Sequence, residues 1–211
     1  MRIHLKHLAP EPVSTPLISS SGVWGEELNL ELGQTVQVVA KSGKGKSTLL
    51  HIIYGLRSDY EGICKIGEIE APSYSMNQWL DLRANKLSLL FQDLRLFRNL
   101  SARENLELLP RIDPESPGFE VMCERLEITH LLDRKVATLS LGQCQRFALV
   151  RCLRKPFRWL LLDEPFSHLD EVIAREAADL IQESVQAKEA GLIFTSLQPE
   201  GPISGGSMLY L

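Results

Sequence analysis

The sequence has few cysteines, few aromatic residues, no excess of basic residues and no long apolar run. Its 4 cysteines among 211 residues lack both metal-ligand spacing and the density of a secreted disulfide scaffold, which favours reduced thiols in the cytoplasm. A formal net charge of -4 lacks the basic excess that non-specific nucleic-acid binding needs, so we expect no nucleic-acid partner. No apolar run approaches the roughly 18 residues that span a bilayer. We therefore expect a cytoplasmic chain that reaches the inner face of a membrane only through another polypeptide.

The composition and the pattern of apolar runs predict an α/β fold. With 44% hydrophobic residues, the chain can bury a sizeable core. Antiparallel strands are predicted before residue 34 and over residues 62–69, as a separate β subdomain. Short apolar runs among helical patterns predict a mostly parallel core sheet with flanking helices, with strands at residues 34–40, 87–91, 159–162, 192–194 and 207–211.

Residues 93–139 change to helical patterns interrupted by prolines, which predicts a helical insertion. Ser101 and Ser140 are each followed three residues later by Glu or Gln, the spacing of a capping box that starts a helix. The second capping pattern predicts a helix over residues 140–154, and Asp170 caps another that runs to about residue 190.

The strongest local motif is Ala40-Lys-Ser-Gly-Lys-Gly-Lys-Ser47, a phosphate-loop pattern between a predicted strand and a predicted helix. Its glycines let backbone N–H groups turn toward phosphate oxygens, and the helix N-terminus adds its positive dipole end. Lys46 would reach the β- and γ-phosphates, and the Ser47 hydroxyl would bind Mg²⁺. Ala40 replaces the opening glycine, which requires a negative φ there. The predicted nucleotide-binding set is Ser42, Gly43, Lys44, Gly45, Lys46, Ser47 and Thr48.

Two adjacent carboxylates, Asp163 and Glu164, follow the apolar run 159–162. They stand at the C-terminal end of a predicted parallel strand, where nucleotides bind in open α/β sheets. Asp163 suits a Mg²⁺ partner, and Glu164 suits a general base that polarises the attacking water. The alternative, a carboxylate that caps the next helix, is less favoured because the phosphate loop lies upstream. More than half of the chain separates Lys46 from Asp163, so a large insertion lies between them.

Further motifs resemble those of ATP-binding cassette (ABC) ATPases and occur in that family's order. Leu139-Ser-Leu-Gly-Gln143 resembles the LSGGQ signature, Gln92 the glutamine of the Q-loop, and Pro165-Phe-Ser-His-Leu-Asp170 the D-loop. With the phosphate loop and the two carboxylates, these motifs cover nearly the whole chain. The resemblance implies a P-loop NTPase of ABC type, a single ATPase domain over residues 1–211 with a helical subdomain at about 93–155 inside a RecA-like core.

The resemblance also implies how such a chain works. Two ATPase subunits dimerise head-to-tail, and ATP lies between the phosphate loop of one subunit and the signature of the other. The dimer drives a separate transmembrane subunit, and a second identical chain is the expected ATPase partner. The signature residues that would bind nucleotide are Ser140, Gly142 and Gln143. Mg²⁺ would be held by Ser47, Gln92 and Asp163, and the catalytic residues would be Glu164, Lys46, Gln92 and Ser196.

The chain departs from the family pattern at the switch histidine. The family has a histidine one residue after a threonine at the end of the last core strand, and this chain has Ser196 after Thr195. A serine hydroxyl forms hydrogen bonds, but it is shorter than an imidazole and carries no charge. We therefore expect ATP hydrolysis that is slow or dependent on the partner.

A second departure concerns the nucleotide base. No aromatic residue lies at residues 14–17, where the family's adenine-stacking residue is expected. Trp24 is the nearest candidate, and a packing role is the favoured alternative for it. Lys44 either adds charge near the phosphates or faces solvent. The sequence therefore does not predict which residue contacts adenine.

The signature helix carries a further departure. Leu141 replaces the first signature glycine, so its side chain must point away from the nucleotide, whereas close backbone approach matters more at Gly142. Arg146 and Arg151 on the same helix are interpreted as salt-bridging surface residues rather than as phosphate ligands.

Within the family, the segment from Phe91 to Asn105 is most similar to ATPases of lipoprotein-release, macrolide-export and cell-division type systems. The resemblance implies docking of the membrane subunit near the Q-loop and helical subdomain, over about residues 92–110, where Phe97 and Leu100 are apolar. The first hypothesis is an ATP-hydrolysing subunit of an ABC transporter or mechanotransmission complex. The alternative is a nucleotide-gated clamp with little or no hydrolysis, because Ser196 replaces the switch histidine.

Overall fold

The computed structural model describes residues 1–11 and 21–211. The adenine-stacking position expected at residues 14–17 lies outside the described residues. Within the described ranges the strands are β1 (Ile3–Pro10), β2 (Glu27–Leu30), β3 (Thr35–Val39), β4 (Tyr60–Ile66), β5 (Ile69–Glu70), β6 (Leu87–Leu90), β7 (Trp159–Leu162), β8 (Gly191–Ser196) and β9 (Ser207–Tyr210). The α-helices there are α1 (Lys46–Ile53), α2 (Met76–Asn85), α3 (Ala102–Glu107), α4 (Phe119–Arg125), α5 (Leu141–Leu153) and α6 (Glu171–Ala187). None of these helices has the length and apolar character that crossing a membrane requires.

Five strands form a parallel sheet in the order β6-β7-β8-β3-β9, which confirms the predicted core sheet. Every residue of β6 and β7 is buried, as expected for strands that are covered on both faces. Because β7, β8 and β3 are parallel neighbours, the segments that follow them leave the same edge of the sheet side by side. Those segments contain the two carboxylates, Ser196 and the phosphate loop, so the sheet order positions the candidate site.

Four strands form an antiparallel sheet in the order β2-β1-β4-β5, as the sequence predicts. The pairing of β1 with β4 shifts register between Lys6 and Ala9, where His7 adopts a φ of 51°. Gly62 faces this irregularity with a φ of 88°, and a Cβ there would lie 2.3 Å from the His7 carbonyl oxygen. The bend of β1 therefore depends on a glycine in the neighbouring strand.

Three helices begin at the predicted capping residues. Ser101 starts α3 and Ser140 starts α5, each through a complete capping box. Asp170 caps α6 by accepting a hydrogen bond from the Ile173 N–H. This helix ends at Ala187 rather than near residue 190, because Glu189 adopts a φ of 46° that helices do not continue through. The regular elements of residues 93–155 are helical, with one isolated β-bridge, and the subdomain bounds stay a prediction.

Two apolar clusters fill the core, and β7 contributes to both. Leu160 and Leu162 join a cluster with α5 and α6, whereas Trp159 and Leu161 join one with α1 and the antiparallel sheet. This split follows from the alternation of side chains along a strand. Trp24 belongs to the second cluster and is 1% exposed. It is therefore a core packing residue, which is the interpretation that the sequence favours over adenine stacking.

Asn105 fastens the segment after the Q-loop glutamine to α3. Its Oδ1 accepts a hydrogen bond from the Phe97 N–H at 2.7 Å, and its Nδ2 donates to the carbonyl oxygens of Phe97 at 3.0 Å and Ser101 at 2.8 Å. The amide is fully buried, whereas the Phe97 side chain is 58% exposed. A buried side chain thus holds an exposed aromatic residue in place.

We expect Asn105→Ala to lower the free energy of unfolding by about 2–3 kcal/mol, because it removes the buried amide that bonds both backbone polar groups of Phe97. Urea denaturation measures this loss. Asn99→Ala, at an exposed position of the same segment, is the matched control and should change the free energy by less than about 0.5 kcal/mol. Equal effects of the two substitutions would contradict the anchoring role.

Candidate nucleotide site

A cavity of about 370 Å³ lies over the loop between β3 and α1, and residues 42–48 all line it. Gly43 and Gly45 have φ values of 78° and 97°, which side chains with a Cβ rarely adopt. Ala40 keeps a φ outside the positive region, as the sequence requires, and its N–H donates to the Ser196 carbonyl oxygen at 3.2 Å. Lys44 is exposed and also lines the cavity. It therefore faces solvent and places positive charge beside the loop, as the two sequence alternatives describe.

The ammonium group of Lys46 is nearly enclosed and contacts three oxygen atoms. Its Nζ donates to the carbonyl oxygens of Ala40 at 2.7 Å and Lys41 at 3.3 Å, and it lies 3.1 Å from Glu164 Oε1. The Lys46 side chain is 5% exposed and that of Glu164 15%. A buried ammonium needs such partners, and phosphate oxygens that enter the cavity could take their place.

A buried chain of hydrogen bonds joins the ends of β7 and β8. The Thr195 hydroxyl donates to Asp163 Oδ1 at 2.8 Å and accepts from the Glu164 N–H at 2.9 Å. Asp163 and Thr195 are both buried. No role in the site was predicted for Thr195 from the sequence. A hydroxyl residue near the end of a buried apolar strand is the feature that could have indicated one.

Glu164 adopts a φ of 47°, which is uncommon for a residue with a Cβ. Its carboxylate contacts Lys46, while the Asp163 carboxylate contacts Thr195, so the two adjacent acids have separate partners. Gln145 on α5 supports this turn, since its Nε2 donates to the carbonyl oxygens of Pro165 at 2.9 Å and Glu164 at 3.3 Å. Gln145 was not predicted, and its signal is a buried amide on an otherwise apolar helix face.

Ser47, Gln92 and Asp163 line a smaller cavity beside the phosphate loop. The Ser47 Oγ lies 3.5 Å from Gln92 Oε1, and Asp163 Oδ2 is buried without a hydrogen-bond partner among the described residues. A hydroxyl, an amide carbonyl and a carboxylate supply the oxygen ligands that Mg²⁺ prefers, with phosphate and water as further ligands. The three predicted metal residues therefore fit a Mg²⁺ ion that accompanies a nucleotide.

His51 lies in the same small cavity, one turn after Ser47 on α1. Burial lowers the pKa of His51, and the nearby carboxylate of Asp163 opposes this effect. This lowered pKa favours the neutral imidazole beside the residues that would hold Mg²⁺.

Ser196 ends β8 but does not line the cavity over the phosphate loop. Its hydroxyl donates to the Gln198 carbonyl oxygen at 2.7 Å and accepts from Gln37 Nε2 at 2.9 Å. It lines a neighbouring cavity that shares Glu164 with the first. Of the four residues predicted as catalytic, the structure thus brings Lys46, Gln92 and Glu164 to the phosphate-loop cavity and leaves Ser196 beside it.

The signature residues Ser140, Gly142 and Gln143 lie at the start of α5, outside the phosphate-loop cavity of the same chain. Leu141 is 53% exposed. A Cβ on Gly142 would lie 2.5 Å from the carbonyl oxygen of His168 in the D-loop. The close approach that requires glycine here is therefore a contact within the chain.

Arg146 and Arg151 form no salt bridge to any described residue, so their interpretation as salt-bridging surface residues is wrong. Arg146 Nη1 donates to the Leu126 carbonyl oxygen at 2.8 Å, and Arg151 Nη2 donates to that of Leu94 at 2.8 Å. Both guanidinium groups bind backbone carbonyls of segments distant in sequence. Spacing along one helix could not reveal those partners.

A family model described as ABC transporter matches residues 25–167. The chain belongs to the ABC transporter family. The thiamine import ATP-binding protein ThiQ of Escherichia coli (strain UTI89 / UPEC) is 32% identical over 174 residues, which are 80% of this chain and 72% of that protein. The protein of the same name from Aliivibrio fischeri is 34% identical over 81% of this chain and 72% of its own length. This ABC protein is the ATP-binding subunit of a transporter, and it is an ATPase.

Solved structures show the same ABC fold. The dimeric ATP-binding cassette MJ0796 in a post-hydrolysis state, bound to ADP and Pi, has a TM-score of 0.77 at 24% identity and covers 93% of this chain and 88% of that chain. The predicted ABC ATPase fold, with one parallel and one antiparallel sheet, is thereby confirmed. The relatives named above carry a thiamine-import name and do not support the finer resemblance to lipoprotein-release, macrolide-export or cell-division systems, which stays a prediction.

We expect Gly142→Ala in this ABC protein to lower the free energy of unfolding by about 1–3 kcal/mol, because the new methyl group overlaps the His168 carbonyl oxygen. Thermal unfolding of the protein without nucleotide measures the effect. Leu141→Ala, one residue away and exposed, is the control and should leave the melting temperature nearly unchanged. An unchanged melting temperature in Gly142→Ala would show that the glycine is not required by its own chain.

Proposed function

We propose that the chain powers an importer, in which two identical copies close head-to-tail around ATP and hydrolysis reopens them to drive a separate membrane subunit. The observation that carries this proposal is the convergence of Lys46, Glu164 and Asp163 at one sheet edge, connected by Thr195. The thiamine-import name of the relatives favours uptake over export. We expect the membrane subunit to select the cargo, because the residues of the candidate site suit a nucleotide and Mg²⁺.

Lys46 and Glu164 both line the phosphate-loop cavity and form an ion pair at 3.1 Å. A γ-phosphate in the cavity would draw the Lys46 ammonium group to its oxygens. Glu164 would then lose its cationic partner and could polarise the attacking water as a general base. The N–H groups at the start of α1 would meanwhile hold the β-phosphate of ADP, which is the leaving group when the bond to the γ-phosphorus breaks.

Mg²⁺, when bound with the nucleotide, would neutralise charge on the phosphate oxygens. Ser47, Gln92 and Asp163 would hold it. Thr195 prepares Asp163 for this role, because its hydroxyl occupies Oδ1 and leaves Oδ2 without a partner among the described residues. The residues of the chain thus orient the carboxylate before the ion binds.

A second copy would complete the nucleotide site with its signature. The start of α5 carries an exposed Ser140, whose Oγ accepts the capping bond from Gln143. Its hydroxyl hydrogen and the first N–H groups of α5 can therefore meet a phosphate from the partner copy. His168 is exposed next to Gly142 and would lie in the same subunit interface, as the D-loop resemblance implies.

The membrane subunit would dock on the surface formed by residues 92–110. Phe97 is 58% exposed and Leu108 54%, and both line a groove whose inner wall includes Leu94. An apolar groove of this kind accepts the apolar face of an amphipathic helix. Docking there would place the chain peripherally on the inner face of a membrane.

The second candidate function, a nucleotide-gated clamp, rests on the hydrogen bonds of Ser196. Its hydroxyl hydrogen is used by Gln198 and its oxygen accepts from Gln37. In this arrangement Ser196 offers nothing to a γ-phosphate. ATP would then close the dimer, and hydrolysis would be slow or absent.

Steady-state MgATP hydrolysis by the purified protein separates the two functions. We expect turnover in the wild type, a loss of about 100-fold or more in Glu164→Gln because the general base is removed, and a severalfold gain in Ser196→His. Dimerisation with ATP should be followed in the same samples by light scattering. Glu164→Gln should retain ATP-dependent dimers, because it keeps the shape of the side chain.

Glu171→Gln is the matched control, since Glu171 lies exposed at the start of α6 and away from both cavities. It should hydrolyse ATP at the wild-type rate. If the wild type forms stable ATP-bound dimers but does not hydrolyse ATP, even with the membrane subunit present, the clamp is the correct function and the importer ATPase is wrong.

A further inference from the structure

Gln37 is a buried amide in β3, a strand with neighbours on both sides in the parallel sheet. The strand is otherwise apolar from Val36 to Val39, and a buried amide without partners is costly there. Its Nε2 lies within hydrogen-bond distance of three oxygens: Ser196 Oγ at 2.9 Å and the carbonyl oxygens of Gln198 and Pro199, both at 3.1 Å. All three lie within residues 196–199, at the end of β8 and directly after it, so one core side chain holds that segment.

This segment, residues 196–199, lies next to the proposed nucleotide site in the chain and through hydrogen bonds. Thr195, which precedes it, binds both Asp163 and the Glu164 N–H. At its other side the Ser196 carbonyl oxygen accepts from Ala40 at the start of the phosphate loop. Ser196 therefore lies between the acidic residues that follow β7 and the phosphate loop that follows β3.

The Ser196 hydroxyl cannot serve a nucleotide while this arrangement persists. Its hydrogen is donated to Gln198, and its oxygen accepts from Gln37. Beside it, a cavity of about 370 Å³ extends to Glu164 and Phe166. The segment therefore has free space toward Glu164, and the amide of Gln37 opposes its movement into that space.

We infer that Gln37 is a positioning residue that restrains residues 196–199 and thereby limits the rate of ATP hydrolysis. This inference rests on the proposed function, because it requires that the Ser196 hydroxyl contributes to hydrolysis after it is released. Release breaks the bond from Gln37 to Ser196 and turns the hydroxyl from Gln198 toward the nucleotide. Binding of ATP is not affected, because Gln37 does not line the phosphate-loop cavity.

The test is the steady-state ATPase activity of Gln37→Met, which keeps an unbranched side chain of similar length but lacks the N–H donors. We expect kcat to rise about fivefold at an unchanged KM for ATP, a factor that corresponds to one net hydrogen bond lost from the restrained state. In the Ser196→Ala background the same substitution should leave kcat unchanged, because the hydroxyl that is released is absent. A purely structural role of Gln37 would not depend on Ser196.

Gln34→Met is the control, since Gln34 is exposed just before β3 and its side chain forms only one described hydrogen bond, which it accepts from the Glu31 N–H. Its kcat should equal that of the wild type. A lower or unchanged kcat in Gln37→Met, or an equal gain in the Ser196→Ala background, would overturn the inference. If Gln37→Met folds poorly, Gln37→Asn keeps the amide but is one methylene too short to reach, and it should give the same gain.

Hydrogen–deuterium exchange keeps this inference distinct from the proposed function. If no variant hydrolyses ATP, the importer ATPase fails, but the restraint is still tested by exchange at residues 196–200. Faster exchange there in Gln37→Met than in Gln34→Met would support the restraint. Equal exchange in the two variants would overturn it.

Discussion

The site depends on a buried ion pair between Lys46 and Glu164. The two residues follow strands that end at the same edge of the parallel sheet. Lys46 begins the helix after β3, and Glu164 follows β7, with β8 between these strands. Each charge is largely shielded from water, so removing one partner leaves the other uncompensated at a cost of about 3–5 kcal/mol. A phosphate group would also satisfy Lys46, but Glu164 would then lose its cationic partner. The ammonium group that pairs with Glu164 is therefore also the group that a phosphate would bind.

Three buried polar side chains hold the turns around this ion pair. Thr195 connects the two carboxylate positions, Gln145 holds the Glu164–Pro165 turn from α5, and Gln37 holds residues 196–199 from β3. Each lies on an otherwise apolar, buried face of its strand or helix, where an unsatisfied polar group would be costly. Most of their partners are backbone oxygens, so these side chains fix the position of the turns after β7 and β8.

The surface that would face a second copy is connected to the same turns. Gly142 lies against the carbonyl oxygen of His168 in the D-loop, and Gln145 on the same helix reaches the backbone of Glu164 and Pro165. Gly142, the His168 segment and the proposed general base Glu164 are thus packed together. A displacement of α5 by a partner would act on the backbone that carries Glu164.

The sequence by itself determined the fold class, the order of motifs and most of the helix starts. Capping boxes at Ser101 and Ser140, the glycines of the phosphate loop and the acids after β7 act through neighbours in sequence, so local patterns reveal them. Only the tertiary structure decided the partners of Thr195, Gln145, Gln37, Arg146 and Arg151, and it showed that Trp24 is core. Those contacts join segments far apart in the chain. Their geometry is set by which strands become neighbours in the sheet, and a linear pattern does not contain that information.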